Sequence, residues 1–230
     1  MANNLILQLE TATTMCSVAL SANGELLALK ELNERNIHAS QITLFIDEVM
    51  KDAGKNYADL DAVAVSKGPG SYTGLRIGVS TAKGLCFALN IPLISVNTLE
   101  AMANGFMQKY PDTDPNTMLC PMIDARRMEV YTAIFDTALN QIERVNAKIL
   151  DEQTYNDFLS VNKMIFFGDG AGKSQTLYSN HTNYQLAEFE NSASHLGTIA
   201  WQKLVNGDFE NVAYFEPFYL KDFIAGVARS

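Results

Sequence analysis

Two glycine-punctuated segments of this 230-residue chain carry the residue types that cradle phosphate, and both miss the spacings that do so. Gly68-Pro69-Gly70-Ser71-Tyr72-Thr73-Gly74 opens a helical run, whose first backbone amides attract anions. It is neither G-x-G-x-x-G nor a P-loop, and Ser71 directly follows Gly70 instead of standing in a G-x-S-x-G nucleophile elbow. Gly168-Asp169-Gly170-Ala171-Gly172-Lys173-Ser174 ends like a Walker A loop, but Phe167 stands where its first glycine belongs. His38, His181 and His195 lie far apart, with no second histidine at i+3 or i+4, so they read as surface or cap residues. There is no H-E-x-x-H motif and no credible Ser, His and Asp set, which argues against a peptidase. Asp124-Ala-Arg126-Arg127-Met-Glu129 concentrates charge in an apolar strand region, and we expect an Arg–carboxylate pair there that braces the fold in preference to touching a substrate.

The elements that would position these residues are legible. Asp61 to Val65 reads as a buried strand stopped by Gly68-Pro69-Gly70, after which Ser71 or Thr73 caps a helix over Tyr72 to Ala88. In that helix Gly74, Gly78 and Ala82 recur every four residues and form one stripe of small side chains. Interior glycine costs about 1 kcal/mol relative to alanine, so the stripe implies a closely approaching backbone. Either a helix of the same chain or a helix of another protein would serve.

Upstream, Leu5 to Thr11, Cys16 to Ser21 and Glu25 to Leu32 read as strands, the last two joined through an Asn-Gly turn. Ile42, Phe45, Ile46 and Val49 give the Ala39 to Ala53 helix its apolar face. Pro92 to Val96 reads as a strand and Thr98 to Tyr110 as a helix with Thr98 as N-cap. This β-β-β-α-β-α-β-α order resembles a ribonuclease H-like domain, the half-unit of the actin-like ATPase (ASKHA) superfold. Pro111-Asp-Thr-Asp-Pro115 marks a break, giving domains 1–110 and 111–230. In the second, strands over Met118 to Ile123, Glu129 to Phe135, Glu143 to Leu150 and Met164 to Phe167 echo the first. Helices are expected over Asp151 to Leu159, Gly172 to Ser179 and Ser194 to Val205, with the apolar tail 214–230 packing back on the body.

Seventeen basic against 26 acidic residues leave a net charge of −9, which opposes independent binding to a nucleic-acid backbone. Cys16, Cys86 and Cys120 are odd in number and sit in apolar segments, as reduced core thiols of a cytoplasmic protein do. No apolar run is long enough to span a bilayer, so no membrane role is expected.

KGPGSYTGLRIGVSTAKGL, LETATTMCSVAL, IDARRMEVY and EPFYL together resemble the bacterial TsaB (YeaZ) family over essentially the whole chain. The resemblance implies two ribonuclease H-like domains and a non-catalytic part in making threonylcarbamoyladenosine beside the anticodon of transfer RNA. TsaB is similar to a degenerate paralogue of the transferase subunit TsaD, which it binds together with the ATPase TsaE. Transfer RNA is then reached only through the complex, and the chain needs no cofactor of its own. TsaD-like sequences carry V-N-H-L-E-x-H, whereas here Thr98 and Met102 replace the two histidines, so no metal site is expected. Actin-like ATPases carry aspartate in the first-strand turn, whereas this chain has Glu10-Thr11. The longer side chain suits magnesium poorly and leaves at most a weak ATP or ADP contact at Glu10, Thr11, Gly168 and Gly170. We place the TsaD interface on the two helices, at Ile42, Phe45, Ile46 and Val49 and at Gly74, Gly78 and Ala82, with a homodimer as an alternative use of that face when TsaD is absent. The rival reading is an enzyme acting alone, as a weak ATPase or a peptidase.

Overall fold

The computed structural model describes residues 4–221, arranged as two five-stranded sheets with helices on their faces. Strands β1 (Leu5–Glu10), β2 (Met15–Ala22) and β3 (Glu25–Asn33) form an antiparallel meander. Helix α1 (His38–Asp52) leads to β4 (Ala62–Gly68), which pairs parallel to β1. Helix α2 (Tyr72–Leu89) returns the chain to β5 (Leu93–Asn97), and the sheet order is β3-β2-β1-β4-β5. Helix α3 (Thr98–Lys109) follows at once. Its N-cap is Asn97, not the expected Thr98, because the Asn97 carboxamide oxygen accepts from the Leu99 and Glu100 amides.

The second half repeats the plan. β6 (Thr117–Asp124), β7 (Glu129–Phe135) and β8 (Gln141–Ile149) form a meander. After α4 (Asn156–Val161), β9 (Lys163–Phe167) pairs parallel to β6. Then come α5 (Gly172–Tyr178), β10 (Tyr184–Ala187) and α6 (Gly197–Asn206), giving the sheet order β10-β9-β6-β7-β8. These are two ribonuclease H-like units of the actin-like superfold. The helix expected over Asp151 to Leu159 starts late, because the Asp151 carboxylate accepts from the Gln153 amide and the Thr154 hydroxyl and holds a turn instead.

Both central strands of the first sheet are buried on two faces. Leu5, Leu7, Leu9, Val63 and Val65 meet α1 and α2. Ile6, Ala62 and Ala64 face Leu196, Ile199 and Ala200 from the far end of the chain. In exchange, Leu99, Met102 and Phe106 of α3 pack with Leu119, Ile165 and Phe167 of the second sheet. Each half thus lends a helix to cover the other's sheet: the chain passes through the Pro111–Pro115 segment to the second sheet and returns to the first at α6 and the tail. The remaining face of the second sheet closes over Tyr155, Phe166 and Tyr178.

The described part of the tail docks along α2. The Phe218 amide donates to the Lys67 carbonyl, the Lys83 ammonium donates to the Ala213 and Phe215 carbonyls, and the Arg76 guanidinium donates to the Tyr219 hydroxyl. Residues 222–230 of the expected tail lie outside the described residues.

Candidate functional site

Glu10 ends β1 with its side chain inside the protein, one Oε1 accepting from the Ala12 amide at 2.6 Å. Burial pushes its carboxyl up to about 7, against the turn amides and Ser66, which favour the ionised form. Thr11 is also used internally: its hydroxyl donates to the Gly74 carbonyl at 2.8 Å, and the Ser71 amide donates to the Ala12 carbonyl at 2.7 Å. The first turn of α2 is therefore keyed to the turn after β1, with Ser71 as its N-cap.

That contact corrects the reading of the small-residue stripe. A Cβ at Gly74 would stand closer than 3.0 Å to the Thr11 carbonyl oxygen, and one at Gly78 equally close to the Thr11 hydroxyl. Ala82 is fully buried in the core beneath. The approaching backbone is the protein's own β1 turn and not a helix of another chain. Ile42, Ile46 and Val49 are likewise spent in the first sheet's core, with Phe45 packed half-buried at its margin. Six of these seven are buried inside the protein and Phe45 is half-buried at the rim, because an amphipathic helix buries its apolar face against its own sheet first.

What α2 presents outward is a different row, Thr73, Ser80, Gly84 and Phe87, with Ile77 half-buried against the core between them. Phe87 is 84% exposed, and a Cβ at Gly84 would meet nothing within 4 Å. On α1, Leu44 is 52% exposed. The sequence carries a signal for this face: Gly84 falls off the Gly74–Gly78–Ala82 stripe, and Phe87 is a large aromatic after a run of small residues.

At the cleft between the halves, Thr13 and Thr14 face Gly168 and Asp169 across a cavity of about 170 Å³, with Met102 and Asn191 also in its wall. Asn191 is 6% exposed and its amide nitrogen has no partner among the described residues. Of the four residues expected to touch a nucleotide, only Gly168 lines this cavity. Gly168 and Gly170 lack Cβ atoms because Met122, Ile123 and Asp124 backbone fills those positions. The lining includes Asp169 and Glu190 and no lysine or arginine, so a triphosphate would meet negative charge without a compensating cation.

Lys173 and Ser174, which give the Walker-like look, are also consumed internally. Lys173 pairs with Asp124 at 2.8 Å and donates to the Glu129 carbonyl, and Ser174 donates to the Ala171 carbonyl. The expected Arg–carboxylate pair is not formed: the partners are Asp124–Lys173 and Glu129–Lys221, and neither Arg126 nor Arg127 enters an ion pair among the described residues. Both arginines sit at positive φ, 72° and 49°, in the tight β6–β7 connection.

Thr98 and Met102, where the resemblance placed a histidine pair in TsaD-like sequences, are both taken up by packing. Thr98 shares a 2.7 Å hydrogen bond with Ser66, and Met102 is buried in the second sheet's core. His38 bonds the Met15 carbonyl at 3.2 Å, and His195 lies over Gly105 and stacks on Phe189, where burial pushes its imidazole down to about 4. All three thiols are buried and pushed up to about 11 by desolvation, which keeps them unreactive. No helix among the described residues is long and apolar enough to cross a membrane.

Residues 31–227 match the family described as tRNA N6-adenosine threonylcarbamoyltransferase, TsaD. The tRNA threonylcarbamoyladenosine biosynthesis protein TsaB of Escherichia coli K12 is 32% identical, covering 96% of this chain and 96% of that protein. A tRNA N6-adenosine threonylcarbamoyltransferase of Bacillus subtilis is 53% identical over 60 residues, 26% of this chain and 17% of that protein. A crystal structure of a Pseudomonas aeruginosa protein, described as uncharacterized with similarity to peptidase YEAZ, superposes with a TM-score of 0.79 at 25% identity, over 95% of this chain and 100% of that one.

Proposed function

The chain belongs to the TsaB family, and from that premise we propose that it serves tRNA threonylcarbamoyladenosine biosynthesis as a non-catalytic subunit that binds TsaD. TsaE is the third component of this proposal, and transfer RNA is engaged through the assembly. The observation that carries the reading is the outward row of α2, where open Gly84 beside exposed Phe87 offers both close approach and an apolar anchor. A helix of TsaD laid along this row and against Leu44 of α1 would bury the exposed apolar groups.

Several features support a role without chemistry of its own. Thr98 and Met102 are bound up in internal contacts where a TsaD-like sequence has metal-binding histidines. Glu10 and Thr11 are likewise committed to the turn. The peptidase reading gains nothing here, since His38 is bonded to the Met15 carbonyl and His195 is buried against Phe189 and Gly105.

The test is co-purification of the chain with TsaD and TsaE in the presence of ATP, using Gly84→Leu and Phe87→Asp. Both sites are exposed, so both variants should melt within a few degrees of wild type while capture of TsaD falls at least tenfold. Undiminished capture by both variants would remove α2 from the interface. Product formed by this chain alone from threonylcarbamoyl-adenylate would remove the non-catalytic assignment.

A further inference from the structure

A cavity larger than the small cleft cavity lies apart from the α2 face and shares no lining residue with it. Its volume is about 510 Å³, within the ~300–1,000 Å³ typical of small-molecule sites. Three parts of the chain build it. Lys67 at the end of β4, with Asn97 and Glu100 at the start of α3, forms one wall. Phe135, Leu139, Gln141, Arg144 and Val145 of the β7–β8 hairpin form the other, and Phe218 of the docked tail closes it.

Two cations line the cavity: the Lys67 ammonium, within electrostatic reach of the Glu100 and Asp208 carboxyls, and the Arg144 guanidinium, and neither enters an ion pair at contact distance among the described residues. The two cations come from opposite halves, so an anion between them would satisfy both. Glu100 is the one carboxyl in the lining; burial raises its pKa, against the Lys203 and Lys67 ammoniums, which favour the ionised form. Val145, Leu139 and Phe218 add apolar surface for a flat ring, over the core residue Phe135 beneath them.

Leu139 sits at φ +65°, in the left-handed region where glycine is the ordinary choice. The turn is well formed, with the Leu139 amide donating to the Asp136 carbonyl and the Asn140 amide to the Asp136 carboxylate. Its side chain lines the cavity and packs against the second sheet's core.

We propose that this cavity binds a small organic phosphate bearing one flat ring, of mononucleotide size, with the phosphate between Lys67 and Arg144 and the ring against Leu139, Val145 and Phe218. Gln141 and Glu100 read the polar edge of the ring. A ligand held this way bridges the two halves of the molecule and the tail.

Isothermal titration of the full chain with AMP tests this, with adenosine and inorganic phosphate as separate titrations. AMP should bind saturably, and adenosine and phosphate at least tenfold more weakly. Lys67→Met and Arg144→Met should each weaken AMP at least tenfold while circular dichroism shows the fold retained. Leu139→Gly, which removes a side chain shared by the cavity wall and the second sheet's core, should also lose AMP affinity. The proposal is overturned by absence of saturable AMP binding, or by phosphate alone binding as well as AMP, which marks an adventitious ion only. AMP binding unchanged in all three variants also overturns it and places the nucleotide elsewhere, as in the cleft.

Discussion

Alanine substitution at two glycines of the same helix should change stability in opposite directions. At Gly84 the new methyl points into open space, so Gly84→Ala keeps the helix-propensity gain of up to about 1 kcal/mol. At Gly74 the same gain is opposed by a Cβ closer than 3.0 Å to the Thr11 carbonyl oxygen, a backbone atom that cannot rotate away. Relieving that overlap costs typically 1–3 kcal/mol, and moving the turn endangers the 2.8 Å Thr11–Gly74 hydrogen bond, worth about another 1 kcal/mol. The net loss for Gly74→Ala is therefore about 1–3 kcal/mol. For a chain of this size, 1 kcal/mol moves Tm by about 2–4 °C. Gly74→Ala should melt roughly 3–10 °C lower and Gly84→Ala roughly 2–4 °C higher, as read by far-ultraviolet circular dichroism. A Gly74→Ala melting temperature at or above wild type would show that the β1 turn is not what the stripe packs on. A lowered Gly84→Ala melting temperature would place that face in the protein's own core and undo the interface argument.

Glu10→Gln should abolish a pH dependence. Folded Glu10 holds its proton up to about 7 whereas the unfolded chain releases it near 4.5, so stability is lost as pH rises through that window, by about 3 kcal/mol in full. The glutamine variant should be more stable than wild type at pH 8 and no more stable at pH 4 in urea titrations; equal stability at both would refute the buried-acid reading. His195 has the opposite slope, since its imidazole is held near 4: its contribution is complete above 6.5 and is lost as pH falls from 6.5 to 4. The two slopes oppose each other in wild type, so Glu10→Gln should expose a stability that rises with pH between 4 and 6.5. Gly105→Ala would bring a Cβ against the His195 ring, and we expect about 1–3 kcal/mol of destabilisation with the imidazole pKa moving back up, followed by NMR titration. An unchanged His195 titration in that variant would contradict the packing.

Local signals in the sequence determined the elements, because strand alternation, helical periodicity and turn chemistry depend on near neighbours. Ile42, Ile46 and Val49 had to share a face, Asn23-Gly24 had to turn, and Gly68-Pro69-Gly70 had to end a strand. The family resemblance rested on such contiguous segments too, and so did the replacement of two histidines by Thr98 and Met102. Tertiary structure decided what each face meets. Spacing alone put Gly74, Gly78 and Ala82 in one row, but the atom that fills the row belongs to Thr11, 63 residues before Gly74. The docking row we propose lies accordingly at Gly84 and Phe87, which only the placement of the first sheet leaves uncovered. Burial of Glu10 and His195 sets their proton affinities, and desolvation is a property of the packed interior with no local trace in the chain. Lys67 and Arg144 face one cavity only because α3 and the β7–β8 hairpin pack across the boundary between halves, a long-range juxtaposition that no periodicity encodes.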